Sequence, residues 1–283
     1  MSTFTSLFIS PINRLTAAFG IMLILFGTTS VADPLKTAID SPGRTPAFAA
    51  RDGARHPYET LSFFQVEPDM AVVEIWPGGG WYTEILAPYL AAEGHLYAAH
   101  FSPTAEHPYF LKSLEAFKGR LSDEAQFADV ELVVFDPANG VLGVPPGSAD
   151  RVLTFRNVHN WLRNDAEQAA FDLFYKALKP GGVLGVVEHR SKPGVDRETM
   201  LNSGYMDEQA VVDLATRAGF VLDARTDINA NPEDSADHPA GVWTLPPTLR
   251  LGDEDKDRYL AIGESDRMTL RFVKPRDSAG SDD

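Results

Sequence analysis

The sequence predicts an α/β protein: a doubly wound, mostly parallel sheet of seven strands with helices on both faces. Three observations predict it. Apolar, β-branched runs alternate with segments of helical period from Met70 to Val273, and seven of these runs have strand length. The first, Met70–Ile75, leads into Trp76-Pro77-Gly78-Gly79-Gly80, after which Tyr82, Ile85, Leu86, Tyr89 and Leu90 share one helix face. Strand, glycine turn and helix make half of a βαβ unit, whose turn lies at the carboxyl end of the strand, where such sheets bind ligands. Third, Leu178-Lys179-Pro180-Gly181-Gly182 separates a helical segment from the apolar run Val183–Glu188, with glycine expected to supply the positive φ that ends the helix.

The elements follow in order. Residues 1–32 carry one charge, Arg14, and an apolar run from Leu15 to Leu25. Ser30 and Ala32 then stand at the spacing that signal peptidase accepts, so 1–32 reads as a signal peptide cleaved after Ala32. The 18 uncharged residues from Leu15 to Ala32 are near the lower limit for spanning a bilayer, and the small residues at their end favour cleavage over a retained anchor. No stable membrane insertion is expected after cleavage. Without cysteine the chain is not a lipoprotein, and without an Arg-Arg pair the general secretory route is expected, to the periplasm or beyond.

Residues 33–69 read as an N-terminal helical extension. Pro34, Pro42-Gly43 and Pro46 break its first part, and Arg51–Val66 continues as helix with Pro57 in a first turn. The domain proper is expected over 70–275. Pro88 is placed to kink or end the helix after the glycine turn. Strands follow at His95–His100, Val130–Asp136 and Arg151–Phe155, with Phe110–Phe117 helical between the first two. Asn164 is expected to cap a helix with Glu167 three residues later, its apolar face being Phe171, Phe174, Tyr175 and Leu178. A helix over Asp207–Ala218 precedes a sixth strand from Phe220, and Met268–Val273 is the last. Between them, about 227–260 is polar and broken by prolines. Asp227, Asn229 and Asn231 open like a calcium loop, but Pro232 replaces its glycine and His238 its final glutamate, so no metal site is expected. Residues 276–283 read as a disordered tail.

The stretch Glu74-Ile75-Trp76-Pro77-Gly78-Gly79-Gly80 resembles motif I of the class I S-adenosylmethionine-dependent methyltransferases, acid-x-Gly-x-Gly-x-Gly. Glu74 falls on the acid, Gly78 and Gly80 on the later glycines, and Trp76 on the first glycine. Trp-Pro-Gly-Gly-Gly-Trp-Tyr, Asn231-Pro232 and Ser265-Asp266-Arg267 resemble a secreted group of predicted methyltransferases. The resemblance covers about Arg51 to Pro275. It implies the Rossmann-like class I fold, S-adenosylmethionine as cofactor, and methyl transfer to an unidentified small-molecule acceptor. It implies cofactor-binding roles for Glu74, Trp76, Gly78, Gly79 and Gly80. His100 stands near the usual ribose-binding acid, and Asp136 where an acid meets the adenine amino group. Arg156 and Asn157 follow the fourth strand as an Arg-Asn-Val does in quinone C-methyltransferases, and the acceptor approaches there. Trp161 and, from the covering N-terminal helix, Arg55, His56 and Tyr58 are expected to bind acceptor. His159 is the first candidate for a base and His189 the second, since imidazole titrates near neutral pH.

Two other readings use the same residues. A non-catalytic exported ligand-binding protein on this fold is suggested by Trp76, by His100 and by the export signal, because the cofactor is made in the cytosol. A nicotinamide dehydrogenase fails on Thr83, which stands where Gly-x-Gly-x-x-Gly needs its third glycine. Composition narrows the field further. Zero cysteines exclude disulfides, thiolate zinc sites and cysteine nucleophiles. The net charge of −15, or −16 once Arg14 is removed, repels nucleic acid and anionic membranes, and no basic stripe with interleaved aromatics offsets it.

Overall fold

The structure, a computed structural model, describes residues 1–3 and 33–276. The apolar stretch and cleavage site expected in 1–32, and the tail 277–283, lie outside the described residues. Eight strands form one sheet: β1 (Ala71–Ile75), β2 (His95–His100), β3 (Val130–Asp136), β4 (Val141–Leu142), β5 (Ala149–Phe155), β6 (Leu178–His189), β7 (Val221–Thr226) and β8 (Arg267–Val273). Their order is β4-β3-β2-β1-β5-β6-β8-β7. Strands β1, β2, β3, β5 and β6 are parallel, while β8, β7 and β4 each run antiparallel to a neighbour. The sheet has eight strands rather than seven because β4, two residues long, forms where the chain folds back on β3. Two residues carry no period that a sequence reading detects.

The chain builds β1 to β3 outward on one side and then returns to place β5 against the other side of β1. The strand order therefore reverses between β1 and β5. The crevice outside their carboxyl ends is where open α/β sheets bind ligands.

The central strands are apolar at successive positions because both faces are covered. Val73, Ile75 and Val152 pack on one face with Phe171 and Phe174 of α8 (Glu167–Ala177); Val72 and Leu153 pack on the other with Leu61, Ile85 and Leu86. Adjacent residues go to opposite faces, as the two-residue period of a strand requires.

Among the described residues four short helices precede β1: α1 (Pro34–Ile39), α2 (Pro46–Ala49), α3 (Asp52–Arg55) and α4 (Pro57–Phe63). Pro34 and Pro46, read as breakers, each start a helix instead, where proline's missing N–H matters least. The single helix expected over Arg51–Val66 is broken at His56, whose φ is 42°. Pro57 explains the break, since its ring excludes the helical conformation from the residue before it. Helix α5 (Thr83–Leu90) follows the glycine turn and ends two residues past Pro88. Helix α6 (Pro108–Asp123) extends well beyond the expected window.

Helix α7 (Val158–Leu162) closes in a turn that includes Asn164, and α8 begins after Ala166 with no side-chain cap, so Asn164 does not cap it. Leu178–Gly182 is not a helix-ending turn either. Leu178 is already extended, and these residues enter β6 through an irregular pairing with β5 that carries Gly181 at φ 83°. Helices α9 (Arg197–Ser203), α10 (Glu208–Arg217) and α11 (Lys256–Ile262) complete the chain, with Asp207 capping α10 through Ala210 N.

Candidate active site

Strands β1 and β5 are each followed directly by a non-glycine residue with positive φ: Trp76 at 45° and Arg156 at 62°. Such a conformation costs about 1–2 kcal/mol and persists only where its surroundings enforce it. Here Trp76 N donates to Ala99 O at 2.8 Å and Arg156 N to Val187 O at 2.7 Å. Asn157 ties the two strand ends together by donating from Nδ2 to Ile75 O at 2.9 Å. The Trp76 indole packs among Phe101, Phe135 and Trp161, with ring centres at 4.6, 5.7 and 5.7 Å, and lines two cavities.

The first cavity, of about 440 Å³, holds the charged groups. At its floor Glu188 is fully buried. One carboxylate oxygen accepts from the backbone N–H of Val158 at 2.6 Å, and the other accepts from His189 N at 2.8 Å and meets His159 Nδ1 at 3.0 Å. A carboxylate held this way keeps the His159 proton on Nδ1 and leaves Nε2 as an acceptor. His189 Nδ1 lies 2.6 Å from Ser265 Oγ. Burial, then the neighbouring His159, Arg156, Arg267 and Arg55, keep His189 neutral, well below the usual histidine range.

One donor atom each from His159, Glu188 and His189 falls within 4.8 Å of the others, a spacing compatible with a metal. Two features oppose a cation there: the Glu188 oxygens already accept several hydrogen bonds, and arginines surround the group.

Arg51, Arg55 and Arg156 line this cavity and Arg267 is buried behind it, with Glu264 as the shared counter-ion of Arg51, Arg55 and Arg267. Burial pushes the Glu264 carboxyl up, but Arg55, Arg267 and Arg51 outweigh it and hold it at about 2. Glu74 also lines the cavity; burial pushes it up to about 7 against a 2.7 Å hydrogen bond from Thr83 Oγ1. At the glycine turn, Gly78 has φ 60° and open space where a Cβ would lie, so its backbone faces the cavity. Gly80 faces inward: a Cβ there would meet Arg120 at 3.2 Å and Phe117 at 3.3 Å.

The second cavity, of about 390 Å³, is walled by Trp76, Phe101, Phe110, Phe135 and Trp161, with Asp136-Pro137-Ala138 at its edge. Asp136 accepts from Asn139 N and Nδ2 at 3.3 and 2.9 Å. The buried Trp161 Nε1 has no hydrogen-bond partner among the described residues.

The structure thus gathers Glu74, Trp76, Gly78, Gly79, Arg55, Arg156, Asn157, His159 and His189 around one cavity, and Asp136 and Trp161 with Trp76 around the other. Four expected residues line neither. Gly80 supports the turn from behind. His100 is the buried last residue of β2: its Nδ1 accepts from Phe101 N, its ring lies 5.2 Å from Phe117, burial lowers it to about 4, and it lines neither cavity. His56 sits at the α3–α4 junction with Nδ1 buried. Tyr58 is exposed and donates to Asp33 at 2.6 Å.

Arg51, Glu188, Glu264, Tyr82 and Trp243 belong to the first cavity or its floor, and sequence reasoning assigned none of them a role. Glu188, ending an apolar strand at the carboxyl edge, carried a usable signal. Glu264, in the irregular region, carried none.

The sequence matches no described protein family and no curated protein. Solved structures do resemble the fold. A SAM-dependent methyltransferase from Aquifex aeolicus is 13% identical, covering 86% of this chain and 98% of its own, with a TM-score of 0.54. The 4+2 cyclase SpnF is 14% identical over 86% and 93%, at 0.55. A geranyl diphosphate methyltransferase in complex with SAM is 13% identical over 84% and 94%, at 0.51. The chain has the fold these proteins share, and the cyclase among them illustrates that this fold does not fix the reaction.

Proposed function

We propose that the protein is an S-adenosylmethionine-dependent methyltransferase acting on a small-molecule acceptor at the carboxyl ends of β1 and β5. The observation that carries this reading is the pair of cavities that meet at Trp76. One is aromatic and bordered by a carboxylate, which suits a purine with an exocyclic amino group. The other offers the open backbone of Gly78 and the buried Glu74, which suit an amino-acid end. Asp136, Trp76, Gly78 and Glu74 are the residues that would hold the cofactor. When bound, it supplies an electrophilic methyl group on sulfur.

The chain does the rest. The walls of the first cavity align the acceptor, and alignment alone can supply most of the acceleration. His159 Nε2 takes the proton from the acceptor's nucleophilic atom. Glu188 holds His159 Nδ1–H and stabilises the imidazolium that results. The reading includes export: protein from the cell envelope should begin at Asp33 on N-terminal sequencing, and an intact Met1 would contradict it.

The catalytic part is tested by methyl transfer to a panel of phenols, thiols, amines and quinone-like acceptors. His159→Gln should lower turnover about 10²–10⁴-fold while leaving affinity for S-adenosylhomocysteine unchanged. Transfer at the parental rate would remove His159 from the mechanism. Absence of both transfer and cofactor binding would overturn the reading.

A further inference from the structure

The first cavity holds more positive charge than its own carboxylates neutralise. Arg51 and Arg267 are occupied: Arg51 Nε donates to Glu264 at 2.6 Å, and Arg267 donates to Ser265 O and Ala54 O. Arg55 donates only from Nε, at a long 3.3 Å to Glu264, and its guanidinium lies 4.7 Å from the centre of the Trp81 ring. Arg156 makes no hydrogen bond or ion pair through its guanidinium among the described residues; Glu264, Tyr82 and Glu188 act on it only at a distance. Three other arginines without a hydrogen bond, Arg250, Arg258 and Arg276, are exposed to solvent. Arg156 instead is half-buried and lines the first cavity, carried there by its own left-handed backbone at the end of β5.

A guanidinium has five N–H donors and is expensive to desolvate, so one left without a partner inside a cavity points to an anion that arrives from outside. Burial holds both below the usual arginine range, with the neighbouring Arg156 adding to it at Arg55 and Arg51 at Arg156. Bidentate pairing with a carboxylate or phosphate satisfies the fork geometry that lysine does not match.

We infer that Arg156 and Arg55 form an oxyanion-recognition subsite, and that the small molecule taken by this cavity carries a carboxylate or a phosphate. Calling that molecule the acceptor rests on the methyltransferase reading; the subsite itself does not. His159 and His189 lie on the same cavity wall, so a molecule held by its anionic end on the arginines presents its other end to the His159–Glu188 pair.

The test is calorimetric titration of the whole protein, without cofactor, with benzoate and phenyl phosphate, and with benzamide and benzylamine as neutral and cationic counterparts. Benzoate or phenyl phosphate should bind at least about tenfold more tightly than either counterpart, a margin that one charge-assisted contact supplies. Which of the two anions binds better separates carboxylate from phosphate recognition. Arg156→Met should remove that preference, and Arg156→Lys should keep part of it. Arg156→Met should also melt no lower than the parent, because it deletes a charge that no protein group pairs; a structural arginine would lower the melting temperature.

Equal affinity for benzamide, or an unchanged anion preference in Arg156→Met, would overturn the inference. S-adenosylhomocysteine titrated into the same variants keeps the two readings apart. Anion binding without it leaves the subsite standing and removes the methyltransferase; the reverse removes the subsite alone. Mutual exclusion of benzoate and S-adenosylhomocysteine would assign the arginines to the cofactor's carboxylate and overturn their role toward the second ligand.

Discussion

The two cavities that meet at Trp76 are built on opposite principles. The first is made of ionised groups that depend on one another: Glu188 beneath His159, and Glu264 among three arginines. The second is made of rings, with Asp136 at its edge closing a local turn through Asn139. In the first, removing one member leaves a buried charge or donor uncompensated. In the second, removing the carboxylate leaves groups that water reaches. Precise placement of charge is therefore concentrated in the first cavity, and shape in the second.

The sharpest way to break this comparison is to neutralise one carboxylate on each side. Glu188→Gln puts an amide where the backbone N–H groups of Val158 and His189 need acceptors, and it should cost about 3–5 kcal/mol of stability. Asp136→Asn keeps one acceptor oxygen at an accessible cap and should stay within about 0.5 kcal/mol of the parent. Urea unfolding of both variants decides. Equal losses would mean that the two sides are not built differently.

A second test is pH. Glu74 is raised from 4.5 to about 7 by burial. Between those values the folded chain holds a proton that the unfolded chain has released, so stability falls as pH rises through that window and levels off above about 7. A shift of this size corresponds to roughly 3 kcal/mol at most. Melting curves across pH 4.5–8 should show the decline, and Glu74→Gln should flatten it. A Glu74→Gln protein with the parent's slope would place the titration elsewhere.

Trp76→Gly sets the two sides against each other at their boundary. Glycine relieves about 1 kcal/mol of backbone strain at φ 45°. Deleting the indole from its contacts with Phe101, Phe135 and Trp161 costs about 3–5 kcal/mol. Packing should win, with a net loss of about 2–4 kcal/mol in denaturant unfolding. A variant as stable as the parent would show that the ring cluster contributes little.

The two sides also differed in how far the sequence revealed them. The sheet was legible because parallel central strands are apolar on both faces, and the glycine turn and the Asp136 turn follow directly from strand ends. His159 and His189 were legible as polar groups just past apolar strands. The cationic cavity was not, because Arg51 and Arg55 at the two ends of α3, Arg156 after β5 and Glu264 before β8 lie far apart in the chain and meet only in space. Motif matching also does not show where two residues face. It cannot tell that Gly80 faces Arg120 and Phe117 while Gly78 faces the cavity, or that His100 points into the core. It marked Trp76 as a departure but not as the ring that lines both cavities.

The central claim is that the cofactor lies across both cavities past Trp76. The most direct test is calorimetric titration of S-adenosylhomocysteine into the parent protein and into Trp76→Gly. One-to-one binding to the parent, weakened by Asp136→Ala on the aromatic side, is the predicted result. No binding to the parent together with binding to Trp76→Gly would show that the indole closes the cofactor cleft, and would contradict the account.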